Sequence, residues 1–206
     1  MNVLESMQEP GLYVVSDTYV CDGTGPLLQL VKNHSGKTLF ISTKTHSHYK
    51  ALFKKYSINT TFLELDLTYG NCDFPLIENP PDTWSEPPHS ASIESLWRKV
   101  QKLGSEWNLI VLDDFYTVSV AKGKLWTYKL LNSFREVSNS VIVKTSSAPE
   151  LLEDMCDNYL ELRELSTGYS AEYTGKLLIK KKNLFLKEEV GPFWFLIKDN
   201  QFKVIE

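Results

Sequence analysis

Cysteine is scarce in this chain, and the few cysteines present exclude two kinds of stabilised small domain. Among 206 residues there are three, Cys21, Cys72 and Cys156, with no Cys-x-x-Cys pair and no neighbouring pair of histidines. An odd, widely spaced set predicts neither a disulfide framework nor a zinc site. We therefore expect no metal, no cofactor and a reducing compartment, namely the cytoplasm and, as a second location, the nucleus.

Long apolar runs are missing as well. No stretch reaches the ~20 consecutive apolar residues that a membrane-spanning helix needs. Residues 1–10 contain Glu5 and Glu9 and lack an apolar centre, so the sequence predicts no signal peptide. The chain is 42% hydrophobic and 23% charged, which is ordinary for a globular protein of this length. We expect one soluble domain that covers residues 1–206.

A surplus of positive charge is also absent. The formal net charge is −4, whereas a free-standing nucleic-acid-binding protein usually carries a basic face that neutralises phosphates. This charge argues against an independent nucleic-acid binder. It is compatible with an RNA contact that the chain contributes within a larger complex.

The chain lacks the glycine-rich loop that P-loop NTPases use to bind phosphate. In those proteins, backbone N–H groups and one lysine surround the phosphates between the first strand and the first helix. Here the first predicted strand is followed by Asp17 and Asp22, with glycines but no lysine, and these acids would repel phosphate. A Gly-Lys-Thr triplet occurs at residues 36–38, but Val31 stands where that motif needs its leading glycine. We interpret the triplet as a turn before a strand.

Alternating strands and helices over most of the chain indicate an α/β fold. This order predicts parallel strands joined by right-handed crossovers. The predicted strands cover residues 12–16, 38–42, 61–65, 108–113 and 140–145. The predicted helices cover residues 25–32, 47–56, 92–103, 124–137 and 148–155. Residues 69–91 contain five prolines and are predicted to form an exposed loop.

From Tyr159 onward the hydrophobic pattern changes to a period of two. The predicted strands there cover residues 159–165, 175–180, 192–198 and 201–205, with a tight turn at residues 199–200. This pattern predicts antiparallel hairpins. We therefore expect residues 159–206 to add antiparallel strands to the parallel sheet.

The apolar strand before Asp113 and Asp114 ends abruptly in these two acids. Carboxylates at the carboxyl end of a strand lie at the crevice where ligands bind in open α/β sheets, so one interpretation is a water-mediated contact to magnesium. Magnesium usually relies on substrate phosphates as further ligands, and nothing here binds phosphate. The alternative interpretations are a solvated strand end and a contact with a neighbouring subunit.

Four segments carry a resemblance to a known family: residues 47–49, 110–114, 165–178 and 193–202. Together with the order of elements they resemble the RecA-like family, and more closely the subunit 6 family of the Elongator complex, which keeps the RecA core without its phosphate loop. The fold class implied is α/β, a RecA-like core with a mainly parallel central sheet flanked by helices and with antiparallel C-terminal strands. Asp113 and Asp114 would then be a Walker-B-like remnant.

The resemblance implies a non-catalytic role. Such a chain forms a heterohexameric ring with Elongator subunits 4 and 5, and the ring docks on the remaining Elongator subunits. The ring binds tRNA and supports modification of the wobble uridine, U34. The alternative is a nucleotide-binding RecA-like recombination mediator or a regulatory ATPase, which would use Asp113 with an unconventional phosphate loop at residues 22–25.

Candidate contact residues follow from the aromatic and basic side chains. Gly168 permits a tight turn beside rings that would otherwise face water, and aromatic residues are enriched at the cores of interfaces. The candidates for a subunit interface are Thr167, Gly168, Tyr169, Tyr173, Trp126 and Trp194. Ordinary packing is the alternative for the two tryptophans.

A basic cluster near the end of a predicted hairpin is the candidate for tRNA contacts, because each lysine would release counterions from the phosphate backbone. Its members are Lys176, Lys180, Lys181 and Lys182. The alternative is a solvated strand end, since Glu188 and Glu189 follow closely and would cancel much of the positive field.

Overall fold

The structure is a computed structural model. It describes residues 3–18, 21–34, 36–43, 47–64, 98, 100–103, 106–147, 150–165, 172–182, 187–198 and 201–205. The predicted loop at residues 69–91, the predicted turn at residues 199–200, and three interface candidates lie outside these residues. Those three candidates are Thr167, Gly168 and Tyr169.

Strands and helices alternate along the described chain much as predicted. The strands are β1 (Gly11–Ser16), β2 (Thr38–Ser42), β3 (Thr60–Glu64), β4 (Trp107–Asp113), β5 (Ser138–Thr145), β6 (Asn158–Glu164), β7 (Gly175–Lys182), β8 (Lys187–Lys198) and β9 (Gln201–Ile205). The helices are α1 (Thr24–Asn33), α2 (Ser47–Lys55), α3 (Phe115–Lys122), α4 (Lys124–Val137) and α5 (Glu150–Met155). Residues 98 and 100–103, within a further predicted helix, are also helical.

All of these strands belong to one sheet in the order β3-β2-β4-β5-β1-β6-β7-β8-β9. Neighbouring strands from β3 to β6 pair in parallel. Neighbouring strands from β6 to β9 pair antiparallel. The predicted α/β class, with a mainly parallel sheet and antiparallel C-terminal strands, is confirmed.

Strand β6 begins the antiparallel region, as predicted, and it also has a parallel neighbour that was not predicted. This strand is antiparallel to β7 but parallel to β1, with Val14 opposite Tyr159. After β5 the chain passes through α5 and returns to the end of the sheet at which β1 begins. Strand β6 therefore runs in the same direction as its neighbour β1. Period-two hydrophobicity reports which side chains are buried on each face, and it does not report the direction of the neighbouring strand.

The apolar core lies on both faces of the sheet because successive strand residues point to opposite sides. Tyr13 and Val15 of β1 belong to the cluster that α1 and α2 cover. Leu12 and Val14 of the same strand belong to the cluster that α3, α4 and α5 cover. A strand buried on both faces has a continuous apolar sequence, which explains the unbroken apolar run in β4.

Helix α1 lies close to β9, the strand at the antiparallel edge of the sheet. Its buried residues are Pro26, Leu27, Leu28, Leu30 and Val31. A Cβ added at Gly25 would lie 2.5 Å from Cβ of Phe202 in β9, so only glycine allows this approach. The contact fixes the first turn of α1 beside the carboxyl end of β1.

Helix α3 was not predicted. Its sequence, FYTVSVAK, places apolar residues on all sides, and the 3.6-residue spacing that identifies an amphipathic helix is therefore missing. No helix in the described part of the chain is both long and apolar enough to span a membrane.

Candidate functional site

The carboxyl ends of β1, β4 and β5 meet at one edge of the parallel sheet, where open α/β sheets bind their ligands. Asp17 follows the last residue of β1, and Asp113 is the last residue of β4. Lys144 stands beside Asp113 in the register of β4 and β5. Three ionisable side chains are thus brought together by strand pairing alone.

The Lys144 cluster, as we name it, consists of Lys144, Asp17, Asp22 and Asp113. The ammonium nitrogen of Lys144 lies 2.9 Å from Oδ2 of Asp17, 3.2 Å from Oδ1 of Asp22 and 3.9 Å from Oδ1 of Asp113. The side chain of Lys144 is 8% exposed and that of Asp113 is fully buried, while Asp22 faces solvent. One ammonium group surrounded by three carboxyl groups offers no surplus positive charge to a phosphate.

Tyr49, on α2, contacts the Lys144 cluster through Asp113. Its hydroxyl donates a hydrogen bond to Oδ2 of Asp113 at 2.7 Å. The ring is buried and lies 4.5 Å from that of Phe40, measured between centroids. Burial and the neighbouring Asp113 both raise the pKa of Tyr49, so the tyrosine stays a hydrogen-bond donor.

Two backbone amides at the start of α1 are bound by the chain's own carboxylates. Oδ2 of Asp17 accepts a hydrogen bond from the backbone N–H of Gly23 at 3.0 Å. Oδ1 of Asp22 accepts from the backbone N–H of Thr24 at 3.1 Å and from its hydroxyl at 2.9 Å. A helix N-terminus attracts anions because its amides and dipole are unsatisfied. Here the N–H groups of Gly23 and Thr24, at the start of α1, are bound by Asp17 and Asp22 instead.

The charges of the cluster also shift its pKa values. Burial alone would lower the pKa of Lys144, but Asp113, Tyr49, Asp17 and Asp22 raise it above the ordinary value for lysine. For Asp22, the partial loss of surrounding water works toward a higher pKa, while Lys144 and the hydrogen bonds from Thr24 outweigh it and lower the pKa. Both shifts favour the charged forms, and the ion pairing therefore persists at neutral pH.

Asp114 has a different role from Asp113, although the sequence places them side by side. Asp114 is the N-cap of α3: its carboxylate accepts hydrogen bonds from the backbone N–H of Tyr116 at 2.9 Å and from the hydroxyl of Thr117 at 3.1 Å. These contacts direct the carboxylate toward the start of the helix. The predicted remnant pair is therefore split between an ion cluster and a helix cap.

Two of the predicted interface residues lie together on the antiparallel half of the sheet. The ring centroids of Tyr173 and Trp194 are 5.1 Å apart, and Trp194 is 40% exposed. The ammonium group of Lys176, a predicted tRNA contact, lies 4.8 Å from the Trp194 ring centroid. Trp126 is elsewhere, on α4, and packs half-buried against the core.

The other three lysines predicted to contact tRNA have different partners in the structure. The ammonium group of Lys180 lies 2.8 Å from a carboxylate oxygen of Glu153 in α5, and this hydrogen bond raises the pKa of Lys180. Lys182 donates to the carbonyl oxygen of Asp154 at 3.2 Å. Lys181 lies opposite Glu188 in the register of β7 and β8. Within this basic cluster, Lys180 is therefore paired with an acid of the chain, and Lys182 is bound to a backbone carbonyl.

The sequence identified Asp113 as a candidate site residue and Asp17 and Asp22 as acids that would repel phosphate, but it did not predict Lys144 as their partner. The clue in the sequence is a lysine in strand Ser138–Thr145, whose other residues are apolar or polar without charge. A lysine on a buried strand needs a nearby carboxylate, because burying an unpaired charge is costly. Within the described residues, no group of three His, Cys, Asp or Glu side chains is arranged to hold a metal ion.

Comparison with known proteins identifies the fold. A solved structure described as the crystal structure of the RadB recombinase is similar to this chain, with a TM-score of 0.57 over 96% of this chain and 92% of that chain. The two sequences are 12% identical, so this likeness shows the fold alone. No protein-family model matches the sequence, and no curated protein matches it. The chain has a RecA-like α/β fold.

Proposed function

We propose that this chain is a non-catalytic RecA-like subunit of the Elongator complex, in the position of subunit 6. It forms a heterohexameric ring with subunits 4 and 5, and the ring binds tRNA and supports wobble uridine modification. The RecA-like fold is consistent with this role. The four sequence segments that resemble the subunit 6 family give the proposal its particular partners.

The observation that carries the non-catalytic part of the proposal is the Lys144 cluster. Catalysis of phosphoryl transfer needs phosphates positioned against backbone amides, with a cation balancing their charge. In this chain the amides of Gly23 and Thr24 already bind Asp17 and Asp22. The balancing cation at Asp113 is the chain's own lysine. A phosphate would have to displace two carboxylates to reach the first turn of α1.

The surface for partners in this proposal includes the aromatic pair on the antiparallel strands. Tyr173 and Trp194 remain partly exposed, and rings of this kind are enriched where subunits meet. Among the four lysines proposed for tRNA, Lys176 is the one that lies beside this pair. Lys180, in contrast, is already paired with Glu153.

The proposal is tested first by assembly. We expect the chain, co-expressed with Elongator subunits 4 and 5, to purify as a three-component heterohexamer whose mass is measured by light scattering. The same ring should bind a tRNA in a gel-shift titration that weakens with added salt, because lysine contacts to phosphate release counterions. A chain that stays monomeric in this co-expression contradicts the proposal.

Nucleotide binding separates the proposal from its alternative. We expect titration of the isolated chain with ATP and magnesium to show no heat of binding. Saturable ATP binding would instead favour the nucleotide-binding recombination mediator or regulatory ATPase. The matched variant for that outcome is Asp113→Asn, which would weaken binding if Asp113 served the bound magnesium.

A further inference from the structure

Helix α3 carries apolar side chains on its outer face as well as on its inner face. Phe115 and Val118 point inward and are fully buried, whereas Tyr116 is 46% exposed and Val120 is 70% exposed. Residues four apart on a helix lie on the same side, so the two exposed side chains are neighbours. A helix that is apolar all round is normally buried. The outer face of α3 is therefore expected to be covered by something.

A further exposed apolar side chain lies at the start of α4, the helix that packs against α3. Leu125, in the first turn of this helix, is 69% exposed. Helix α4 follows α3 after Gly123 and packs against it. The remaining outer face of α4 is polar and ordinary, with exposed residues such as Lys129, Asn132 and Glu136. The apolar patch is thus confined to α3 and the first turn of α4.

The helical stretch that carries this patch has basic side chains and no acidic ones. Residues 115–135 contain Lys122, Lys124, Lys129 and Arg135 and no aspartate or glutamate, although the whole chain has a net charge of −4. Lys124 and Lys129 are exposed, and Lys129 shares a helix face with Leu125. The patch therefore combines an apolar centre with a basic rim.

We propose that this α3–α4 patch, made of Tyr116, Val120 and Leu125 with Lys124 and Lys129 at its rim, docks on a neighbouring subunit of the ring. The surface it fits is apolar at its centre and acidic around it. An apolar centre within a polar rim is the usual anatomy of a protein interface. The inference rests on the proposed function for the identity of the neighbour, and it names the surface of this chain that meets it.

The alternatives for such a surface fit less well. Anionic membranes are usually recognised by clusters of roughly 4–8 basic residues, and the rim here offers two exposed lysines. RNA is bound through phosphate contacts and stacked bases, whereas the two most exposed members of the patch are aliphatic.

The test places a charge in the patch of the complete ring. Val120→Glu and Leu125→Glu are each expected to lower the affinity for subunits 4 and 5 by about tenfold or more, because a glutamate would be buried against an acidic, apolar surface. Leu151→Glu is the matched control, since Leu151 is a 53% exposed leucine on α5. Circular dichroism of each purified variant checks folding, and Val120→Ser gives a milder change at the same position.

Charge complementarity has its own variants. Lys124→Glu with Lys129→Glu should weaken assembly more than the matching change of both to glutamine, while Lys54→Glu on α2 should have no effect.

Normal assembly of folded Val120→Glu and Leu125→Glu would overturn the docking surface and leave the proposed function standing. Failure of the unaltered chain to form a ring would overturn both. Sedimentation of the unaltered chain with phosphatidylserine vesicles, lost in Val120→Glu, would replace the protein neighbour by a membrane.

Discussion

At the scale of single residues, the decisive balance is between desolvation and pairing. Burying an ammonium group costs several kcal/mol even after the protein relaxes. Asp17, Asp22 and Asp113 offset this cost for Lys144, and Tyr49 donates to the most deeply buried of the carboxylates. Lys144 and Asp113 are both buried, so each is stable in its charged form only while the opposite charge is present.

Lys144→Met should therefore destabilise the fold strongly. The variant leaves Asp113 buried without its ammonium partner, and loss of one member of a buried pair costs about 3–5 kcal/mol. Urea denaturation measures the change in the free energy of unfolding. Adding Asp113→Asn to Lys144→Met should recover part of the loss, because asparagine needs no counter-charge and can still accept from Tyr49.

The control for this prediction is Lys180→Met. The Lys180 and Glu153 side chains are partly exposed, and an ion pair near the surface contributes only about 0–1 kcal/mol. If Lys144→Met cost no more than Lys180→Met, the cluster would not be the buried network that we describe.

At the scale of elements, most of the fold could be predicted from hydrophobic spacing. The bounds of β2, α4 and β9 agree with the predicted ranges, because each has a clear period and a clear break at its ends. Spacing failed for α3, whose outer face is apolar. It predicted the antiparallel pairing of β6 with β7 but not the parallel pairing of β6 with β1, which depends on where the previous crossover returned the chain. The hydrophobic pattern of a segment shows neither a helix that is apolar on both faces nor the direction of the strand that lies beside it.

The candidate site was predictable only in part, for a similar reason. The sequence shows acids after β1 and at the end of β4, and a parallel sheet brings such strand ends to one edge. It does not show that β5 lies between β1 and β4, which is what brings Lys144 to the acids. Strand order is a property of the whole topology, so the lysine could not be assigned from its neighbours in sequence.

Asp114→Ala tests the cap of α3. The change removes acceptors for the backbone N–H of Tyr116 and the hydroxyl of Thr117, and loss of an N-cap costs about 1 kcal/mol. Chemical denaturation should show this loss, and Asp114→Ser should restore most of it because serine also caps helices well. An unchanged free energy of unfolding in the alanine variant would contradict the capping role.

At the scale of the whole molecule, the parallel and antiparallel halves carry different sets of side chains. The parallel half contains the Lys144 cluster and has helices on both faces. The antiparallel half presents Tyr173, Trp194 and Lys176 on its strands and in the segment before β7. Strand β6 joins the halves because it pairs in parallel on one side and antiparallel on the other.

At alkaline pH, the free energy of unfolding should depend on the protonation of Lys144. Its pKa is raised in the folded state, whereas an unfolded lysine titrates near about 10.4. The stabilisation is therefore complete below about pH 10 and declines as the pH rises from the unfolded pKa toward the folded one. The free energy of unfolding should fall in this range.

Tyr49, whose pKa is also raised, contributes in the same direction, so the measurement compares variants. Urea denaturation between about pH 9 and pH 11 should show a steeper decline for the natural chain than for Lys144→Met. Parallel curves for the two proteins would mean that Lys144 binds its proton equally in the folded and unfolded states.

The position of β1 in the middle of the sheet has a consequence for synthesis on the ribosome. Its two neighbours, β5 and β6, are encoded about 120 residues or more after it. At translation rates of roughly 5–20 residues per second, β1 waits on the order of ten seconds for its first hydrogen-bonding partner. During that interval the strand Gly11–Ser16 is an apolar segment without a hydrogen-bonding partner strand, and such a segment is prone to aggregate unless a chaperone covers it.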